Sequence, residues 1–133
     1  RLVQGEIRLD VRDGYIRDVK GDMDAKAFSD WLESNKRSSD DLDPYAVSHE
    51  GFGLHPNARW DDVLHHEARM EYLMMSMRSF AGNFLFSTGP GAHRRTKGHI
   101  DMTLCDCTVY LDDQMIIKRG KLQDPGMIVE RTA

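Results

Sequence analysis

The 133-residue sequence lacks a long hydrophobic run and lacks any excess of positive charge. No apolar stretch approaches the roughly 20 residues that a membrane-spanning helix needs. The formal net charge of -4 gives no support to a nucleic-acid partner or to binding at a membrane surface. A hydrophobic content of 40% and a charged content of 30% are ordinary for a globular domain with its own core.

Cysteine is scarce, because Cys105 and Cys107 are the two in the chain. They stand two residues apart in a strand-like run, where a mutual disulfide would be strained. No further cysteine is present to build a disulfide framework or to complete a thiolate zinc site. We therefore expect free, structural cysteines and a cytoplasmic protein.

The chain begins at Arg1 with strand-like residues and without a polar leader. We therefore expect residues 1–133 to be a single domain that forms the C-terminal part of a longer chain. A complete small protein that has been trimmed is the alternative.

The N-terminal third predicts a β-hairpin followed by a helix. Polar and apolar residues alternate on both sides of Asp13-Gly14, which is a strong hairpin signal for strands over 3–11 and 15–20. The run 22–36 follows with helical spacing, and Asp22 or Asp24 can cap it. Its apolar face consists of Ala25, Phe28, Trp31 and Leu32.

The remainder predicts further strands and one more helix. A strand over 45–54 precedes a helix over 67–81 with apolar residues at helical spacing, and a short strand then runs into a Gly-Pro-Gly loop. The segment 99–122 has the pattern of a β-meander with a tight turn at Asp112-Asp113. We predict an α+β fold: a mixed, largely antiparallel sheet with an N-terminal hairpin, two helices and a C-terminal meander.

The run KGHIDMTLCDC places His99 and Asp101 two residues apart in a predicted strand. Residues at i and i+2 of a strand face the same way, roughly 6.5–7 Å apart. The intervening Ile100 and Met102, with Leu104, form an apolar face, so we expect His99 and Asp101 to face away from the core. This is the spacing of one half of a 2-His-1-carboxylate metal site. The alternative is that both are ordinary polar side chains on the protein surface.

Such a site needs a second histidine, and the strand over 45–54 offers His49. Phe52 and Leu54 on its other face are expected to point into the core, which again turns His49 away from it. Gly51 and Gly53 share the face of His49 and leave space above the sheet. His49 is the first choice for the third ligand, and His55 at the strand end is the second.

The loop that precedes His99 is basic and contains glycine. Arg94 and Arg95 are candidates for attracting an anionic substrate near His99. His93 is a candidate catalytic residue that shuttles protons. A plain exposed loop is the alternative for all three residues.

Four sequence runs carry a family resemblance: SHEGFGLHPNARW, AGNFLFSTGPG, GHIDMTL and VYLDDQMIIKRGKL. Through them most of the chain, from the first hairpin to about Leu122, resembles the C-terminal part of the thermophilic-type leucyl aminopeptidase family. That resemblance implies two metal ions held by a glutamate, a histidine and a final HxD. This chain departs from the pattern, because His49 stands at the glutamate position and Leu85 near the histidine position.

The three residues that remain are similar to the iron ligands of the 2,5-dihydroxypyridine 5,6-dioxygenase family, which belongs to the same superfamily. The resemblance implies an extradiol-like, mononuclear Fe(II) dioxygenase of nicotinate catabolism that opens a hydroxylated pyridine ring. His49, His99 and Asp101 would bind the metal. Two imidazoles and one carboxylate suit non-haem Fe(II) and leave positions for substrate and O₂. Zn²⁺ or another divalent ion is the alternative, since Zn²⁺ accepts the same ligand types.

The resemblance also bears on partners and on rival functions. We expect a small aromatic substrate, O₂, no nucleic acid, no membrane, and a homo-oligomer formed through the full-length protein. The 133 residues alone are expected to be inactive, since an upstream domain would supply most substrate contacts. The rival functions are a metal-dependent leucyl-type aminopeptidase and a non-catalytic domain of the same fold.

Overall fold

The computed structural model describes residues 3–65 and 70–130, and the side chains of 63, 65 and 70–73 are not described. Among the described residues, no helix is both long enough and apolar enough to cross a membrane. The predicted helix over 67–81 lies partly outside the described residues, because 66–69 are not among them, and its described part runs from Met70 to Ser79. Cys105 and Cys107 are free thiols, as predicted, and burial raises the pKa of each.

The chain forms two compact units. The first unit consists of Arg1–His49 and Ser87–Asp101, and the second consists of Glu50–Phe86 and Met102–Ala133. The predicted α+β class is confirmed. In chain order the elements are β1 (Ile7–Arg12), β2 (Tyr15–Gly21), α1 (Met23–Ser34), β3 (Val47–Phe52), α2 (Asp62–His65), α3 (Met70–Ser79), β4 (Phe84–Thr88), β5 (Ile100–Leu104), β6 (Val109–Leu111), β7 (Gln114–Lys118) and β8 (Lys121–Leu122).

The hairpin of β1 and β2 forms where the sequence predicts it. Asp13 and Gly14 both have positive φ, at 53° and 73°, which is the geometry of a type I′ turn. The two strands pair antiparallel, with a bulge between Asp10 and Val11. The first residue of β3 contacts this turn, because the backbone N–H of Val47 donates to the carbonyl of Gly14 at 2.8 Å.

Helix α1 covers the hairpin with its predicted apolar face. Ala25, Phe28 and Leu32 are buried, and α1 contacts both β1 and β2. Asp22 occupies the N-cap position but makes no side-chain bond to the helix. Its Oδ2 instead accepts from the backbone N–H of Glu6 at 3.3 Å, so the predicted cap residue ties the helix start to the chain entering β1.

The remaining strands form two separate three-stranded sheets rather than one continuous sheet. Strand β4 lies between β3 and β5, and β7 lies between β6 and β8. The meander predicted over 99–122 is therefore shorter than expected, because β5 pairs with β4. The true meander of β6, β7 and β8 turns at Asp112 and again at Arg119-Gly120, all with positive φ.

The expectation that Phe52 and Leu54 are core-facing was wrong. They remain 38% and 37% exposed, although the ring of Phe52 packs against the tilted ring of Phe84, with 5.5 Å between the centroids. The space expected above the sheet is present beside Gly51 but not beside Gly53. Nothing lies within 4 Å of a Cβ built on Gly51, whereas one built on Gly53 would meet the Phe80 carbonyl oxygen at 2.0 Å.

The loop after α1 is held by a cluster of ion pairs. Because the cluster needs charged carboxylates, we expect the stability of the fold to depend on acidic pH. Arg37 donates to both oxygens of the buried Asp41, at 2.7 and 3.1 Å, and to Asp43 at 2.6 Å. The hydrogen bond from Arg37 lowers the pKa of Asp41 well below its ordinary value of 3.8. The folded state therefore gains stability from Asp41 above that ordinary value and loses it as the pH falls toward the folded-state pKa.

We expect the free energy of unfolding to fall between about pH 6 and about pH 3, and Asp41→Asn to flatten that fall. Urea denaturation at the two pH values measures it. Asp40→Asn is the matched control, because its exposed carboxylate lies next in the chain and should leave the pH dependence intact. An unchanged pH dependence in Asp41→Asn would contradict the prediction.

Candidate metal centre

His49, His99 and Asp101 lie together, as their spacing and strand faces predict. Oδ1 of Asp101 is 3.2 Å from Nε2 of His49 and 3.1 Å from Nε2 of His99. The two imidazole centroids are 5.5 Å apart, and the three potential ligand atoms all lie within 4.8 Å of one another. They form a group of described residues able to hold a metal ion.

Burial differs among the three side chains in a way that suits a metal site. The side chain of Asp101 is only 8% exposed, whereas those of His49 and His99 are 48% and 37% exposed. A buried carboxylate needs a compensating positive charge or hydrogen bonds. The partly open imidazoles leave one side of the cluster accessible to further ligands.

The hydrogen bond that Nδ1 of His99 donates leaves Nε2 as the nitrogen that faces the cluster with a lone pair. Nδ1 lies 2.9 Å from the carbonyl oxygen of Thr88. A carbonyl oxygen can only accept, so Nδ1 carries the hydrogen. In the neutral ring, Nε2 then presents a lone pair toward Asp101. This is the arrangement that orients metal-binding histidines in proteins.

A similar argument applies to His49 through two hydrogen bonds. The hydroxyl of Ser48 donates to the carbonyl of Pro90 at 2.5 Å, and its oxygen lies 3.3 Å from Nδ1 of His49. Because the hydroxyl hydrogen is used on Pro90, the oxygen accepts from Nδ1, and Nε2 again bears the lone pair. Three electron-pair donors therefore converge, and a cation between them would remove their mutual repulsion. The donor set fits a divalent metal.

Strand β4 holds the backbone that carries His49. The hydroxyl of Ser87 accepts from the N–H of His49 at 3.1 Å and donates to its carbonyl at 3.1 Å. Ser87 and Thr88 are both fully buried. Sequence reasoning missed Ser48, Ser87 and Thr88 as supports. The position of Ser48 beside His49 was the one available signal, since Thr88 acts through its backbone carbonyl, which any residue provides.

The loop residues and the alternative ligand take different positions. His93 and Arg95 are exposed, while Arg94 donates from Nη2 to the carbonyl of Val47 at 2.8 Å. The roles of these three in catalysis and substrate binding stay predictions. Nδ1 of His55, the second choice for the third ligand, accepts from the backbone N–H groups of Asn57 and Ala58 at 3.2 and 3.1 Å. His55 is not in the cluster of described residues.

The side chain of Thr88 predicts a stabilising substitution. Its Oγ1 is buried and has no hydrogen-bond partner among the described residues. A buried unsatisfied hydroxyl costs about 1–3 kcal/mol, and valine has nearly the same shape. We expect Thr88→Val to leave the unfolding free energy unchanged or to raise it by about 1 kcal/mol, as measured by urea denaturation. Ser87→Ala is the contrasting variant, because it removes the hydroxyl that bonds the backbone N–H and carbonyl of His49. It should lower the unfolding free energy. A clear loss of stability in Thr88→Val would contradict the prediction.

Known proteins resemble this chain over nearly all of its length. It is 36% identical over 123 residues to the 2,5-dihydroxypyridine 5,6-dioxygenase of Pseudomonas putida KT2440, covering 90% of this chain and 34% of that protein. The solved structure of 2,5-dihydroxypyridine dioxygenase from Pseudomonas putida KT2440 matches with a TM-score of 0.70 and 34% identity, covering 91% of this chain and 35% of that one. The chain thus spans about a third of the length of these relatives. The sequence profile of the family described as NicX, 2,5-dihydroxypyridine 5,6-dioxygenase, matches residues 1–124. A profile match over that much of the sequence establishes membership, so the chain belongs to the 2,5-dihydroxypyridine 5,6-dioxygenase family.

Proposed function

We propose that this chain forms the metal-binding part of a mononuclear non-haem Fe(II) dioxygenase that opens the ring of a hydroxylated pyridine. The observation that carries the proposal is the convergence of Nε2 of His49, Nε2 of His99 and Oδ1 of Asp101 within 4.8 Å. Membership of the 2,5-dihydroxypyridine 5,6-dioxygenase family supports the reaction class. The names of the relatives support 2,5-dihydroxypyridine as the substrate to test first.

The donor set favours iron among the common metals. Two imidazoles and one carboxylate on one side of a metal leave open positions, which is typical of Fe(II) oxygenases. Bound there, Fe(II) would supply redox chemistry that brings the substrate and O₂ together. The chain itself holds the two imidazoles in the Nδ1–H form through Ser48 and the Thr88 carbonyl. It also keeps the charged carboxylate of Asp101 away from water.

The proposal concerns the intact protein. This chain spans about a third of the length of its relatives, so we propose that residues outside it contribute substrate contacts. Within it, Arg95 and His93 are the exposed candidates for attracting an anionic substrate and for moving a proton.

The broader assignments are proposals of the same kind. We place the family in the thermophilic-type leucyl aminopeptidase superfamily on the sequence runs quoted above, with His49 and Leu85 marking the departure from a two-metal hydrolase. The two free thiols are compatible with a reducing cytoplasm.

We propose a homo-oligomer of the full-length protein, which sedimentation analysis would test.

Metal and oxygen measurements on the intact protein test the function. Purified without oxygen, it should contain about one iron per chain, and it should consume O₂ when 2,5-dihydroxypyridine is added. Loss of the pyridine absorbance should accompany O₂ uptake. A protein that holds no divalent metal, or one that releases amino acids from leucyl peptides with zinc, would refute the proposal.

A further inference from the structure

The loop over 89–98 is fastened to the strand that carries His49. The N–H of Gly89 donates to the carbonyl of Ala46 at 2.9 Å. Nη2 of Arg94 donates to the carbonyl of Val47 at 2.8 Å, and its Nε lies 3.5 Å from the carbonyl of Gly89. The guanidinium therefore joins one end of the loop to β3, immediately before Ser48 and His49.

The conformation of the loop depends on Arg94 lying across it. Gly91 and Arg94 exchange backbone hydrogen bonds of 3.2 Å in both directions, so the chain turns tightly between them. A Cβ on Gly91 would lie 2.8 Å from Nη2 of Arg94. Glycine at 91 thus leaves the room through which the half-buried side chain folds back onto the loop. Arg94 is directed at backbone carbonyls of its own unit.

Pro90 immediately precedes this turn, and its carbonyl decides whether the Ser48 hydroxyl donates or accepts toward His49. A hydroxyl can donate or accept. With Pro90 in place, Ser48 donates to its carbonyl and accepts from Nδ1 of His49. Without that acceptor the hydroxyl would be able to donate to Nδ1. His49 would then carry its hydrogen on Nε2, and a protonated Nε2 cannot bind a metal.

We propose that Arg94 is a positioning residue for His49, acting through the loop turn, the Pro90 carbonyl and the Ser48 hydroxyl. It sets the tautomer and the orientation of the metal-facing imidazole. The inference rests on the proposed metal site but assigns Arg94 a role different from the substrate contact that the basic loop predicts.

Matched substitutions in the intact protein test this role. Arg94→Gln removes the fork of donors, and Ser48→Ala removes the hydroxyl. The controls are Arg12→Gln, an exposed arginine paired with Asp10, and Ser39→Ala, an exposed serine bonded to Asp40. Each protein is titrated with Fe(II) without oxygen. Its KM for 2,5-dihydroxypyridine and its unfolding midpoint are also measured.

We expect Ser48→Ala to weaken Fe(II) binding by about 10-fold, within the range seen for outer partners of metal-binding histidines. Arg94→Gln should weaken it by a similar factor. The double variant should lose less than the product of the two factors, because both changes act on one connection. Arg94→Lys, which retains one donor for the Val47 carbonyl, should recover part of the affinity. The KM of Arg94→Gln and of Ser48→Ala for 2,5-dihydroxypyridine at saturating iron should stay unchanged. The two control variants should keep the Fe(II) affinity of the unsubstituted protein.

Two results would overturn the inference. One is a raised KM in Arg94→Gln with unchanged Fe(II) affinity, which would make Arg94 a substrate contact. The other is a lower unfolding midpoint alone, which would make its role purely structural.

A readout without metal separates this inference from the proposed function. The ¹⁵N resonances of the His49 ring in the metal-free protein report which nitrogen carries the hydrogen. Arg94→Gln and Ser48→Ala should move the ring toward the Nε2–H form, whether or not the native protein binds iron. Unchanged ring resonances in both variants would overturn the inference even if iron binding were established.

Discussion

His99→Ala is expected to remove iron from the intact protein and to abolish the proposed ring cleavage. In the proposed site this imidazole supplies one of three ligand atoms, and its loss leaves a single histidine and the buried carboxylate of Asp101. Loss of a mere outer partner of a ligand costs about 10- to 100-fold in affinity, so loss of a ligand should exceed about 100-fold. Iron content after anaerobic purification and Fe(II) titration measure the effect.

The stability of the metal-free protein separates loss of a ligand from loss of the fold. The side chain of His99 is 37% exposed, and its Nδ1 donates to the carbonyl of Thr88, so His99→Ala should cost only about 1 kcal/mol of unfolding free energy. His55→Ala is the control variant, because His55 was the rival for the third ligand and its Nδ1 is bonded to backbone N–H groups. It should retain iron. Loss of iron in His55→Ala together with retention in His99→Ala would reverse the ligand assignment.

Gly53→Ala is expected to destabilise the second unit by about 3 kcal/mol or more, because overpacking at a site that cannot yield is costly. Its Cβ would stand 2.0 Å from the carbonyl oxygen of Phe80 and 2.9 Å from Cβ of Asn83. Backbone bonds hold the two segments together here: Gly53 donates to Asn83 at 3.0 Å, and Gly82 donates to Gly53 at 3.1 Å. Urea denaturation measures the loss.

Gly51→Ala provides the matched control two residues earlier in the same run. Nothing lies within 4 Å of its added Cβ. The substitution should be neutral or stabilise by about 0.5 kcal/mol, since alanine restricts the unfolded chain more than glycine does. Equal unfolding midpoints for the two variants would show that the close approach at Gly53 relaxes freely.

Local patterns in the sequence predicted the elements whose signals depend on near neighbours. Asp13-Gly14 specifies its turn because both residues must adopt positive φ, and the face of α1 follows from helical spacing. The extent of the C-terminal meander was not predictable in the same way. Strand β5 has the same alternation as its neighbours in the chain, and only its pairing with β4 separates it from them.

The burial of individual side chains was also only partly predictable. Alternation could not foresee that Phe52 and Leu104, both expected in the core, would remain 38% and 42% exposed. Nor could it foresee that the side chain of Asp101, expected to face away from the core, would be only 8% exposed. Exposure depends on what covers a strand, and that is a property of other segments. The same limit applies to Gly53, whose sequence context is similar to that of Gly51 although its surroundings are far more crowded.

The sequence by itself determined which residue types the proposed metal site can use: two imidazoles and one carboxylate, at strand positions that alternate with apolar residues. Only the tertiary structure decided that His49 meets His99 and Asp101, which lie 50 and 52 positions later in the chain, because strand order depends on packing between distant segments. It also decided which nitrogen of each ring faces Asp101, through Ser48, Pro90 and the Thr88 carbonyl. The Pro90 and Thr88 carbonyls are backbone groups that every residue possesses, so residue type could not indicate them, and only the Ser48 hydroxyl next to His49 left a signal in the sequence.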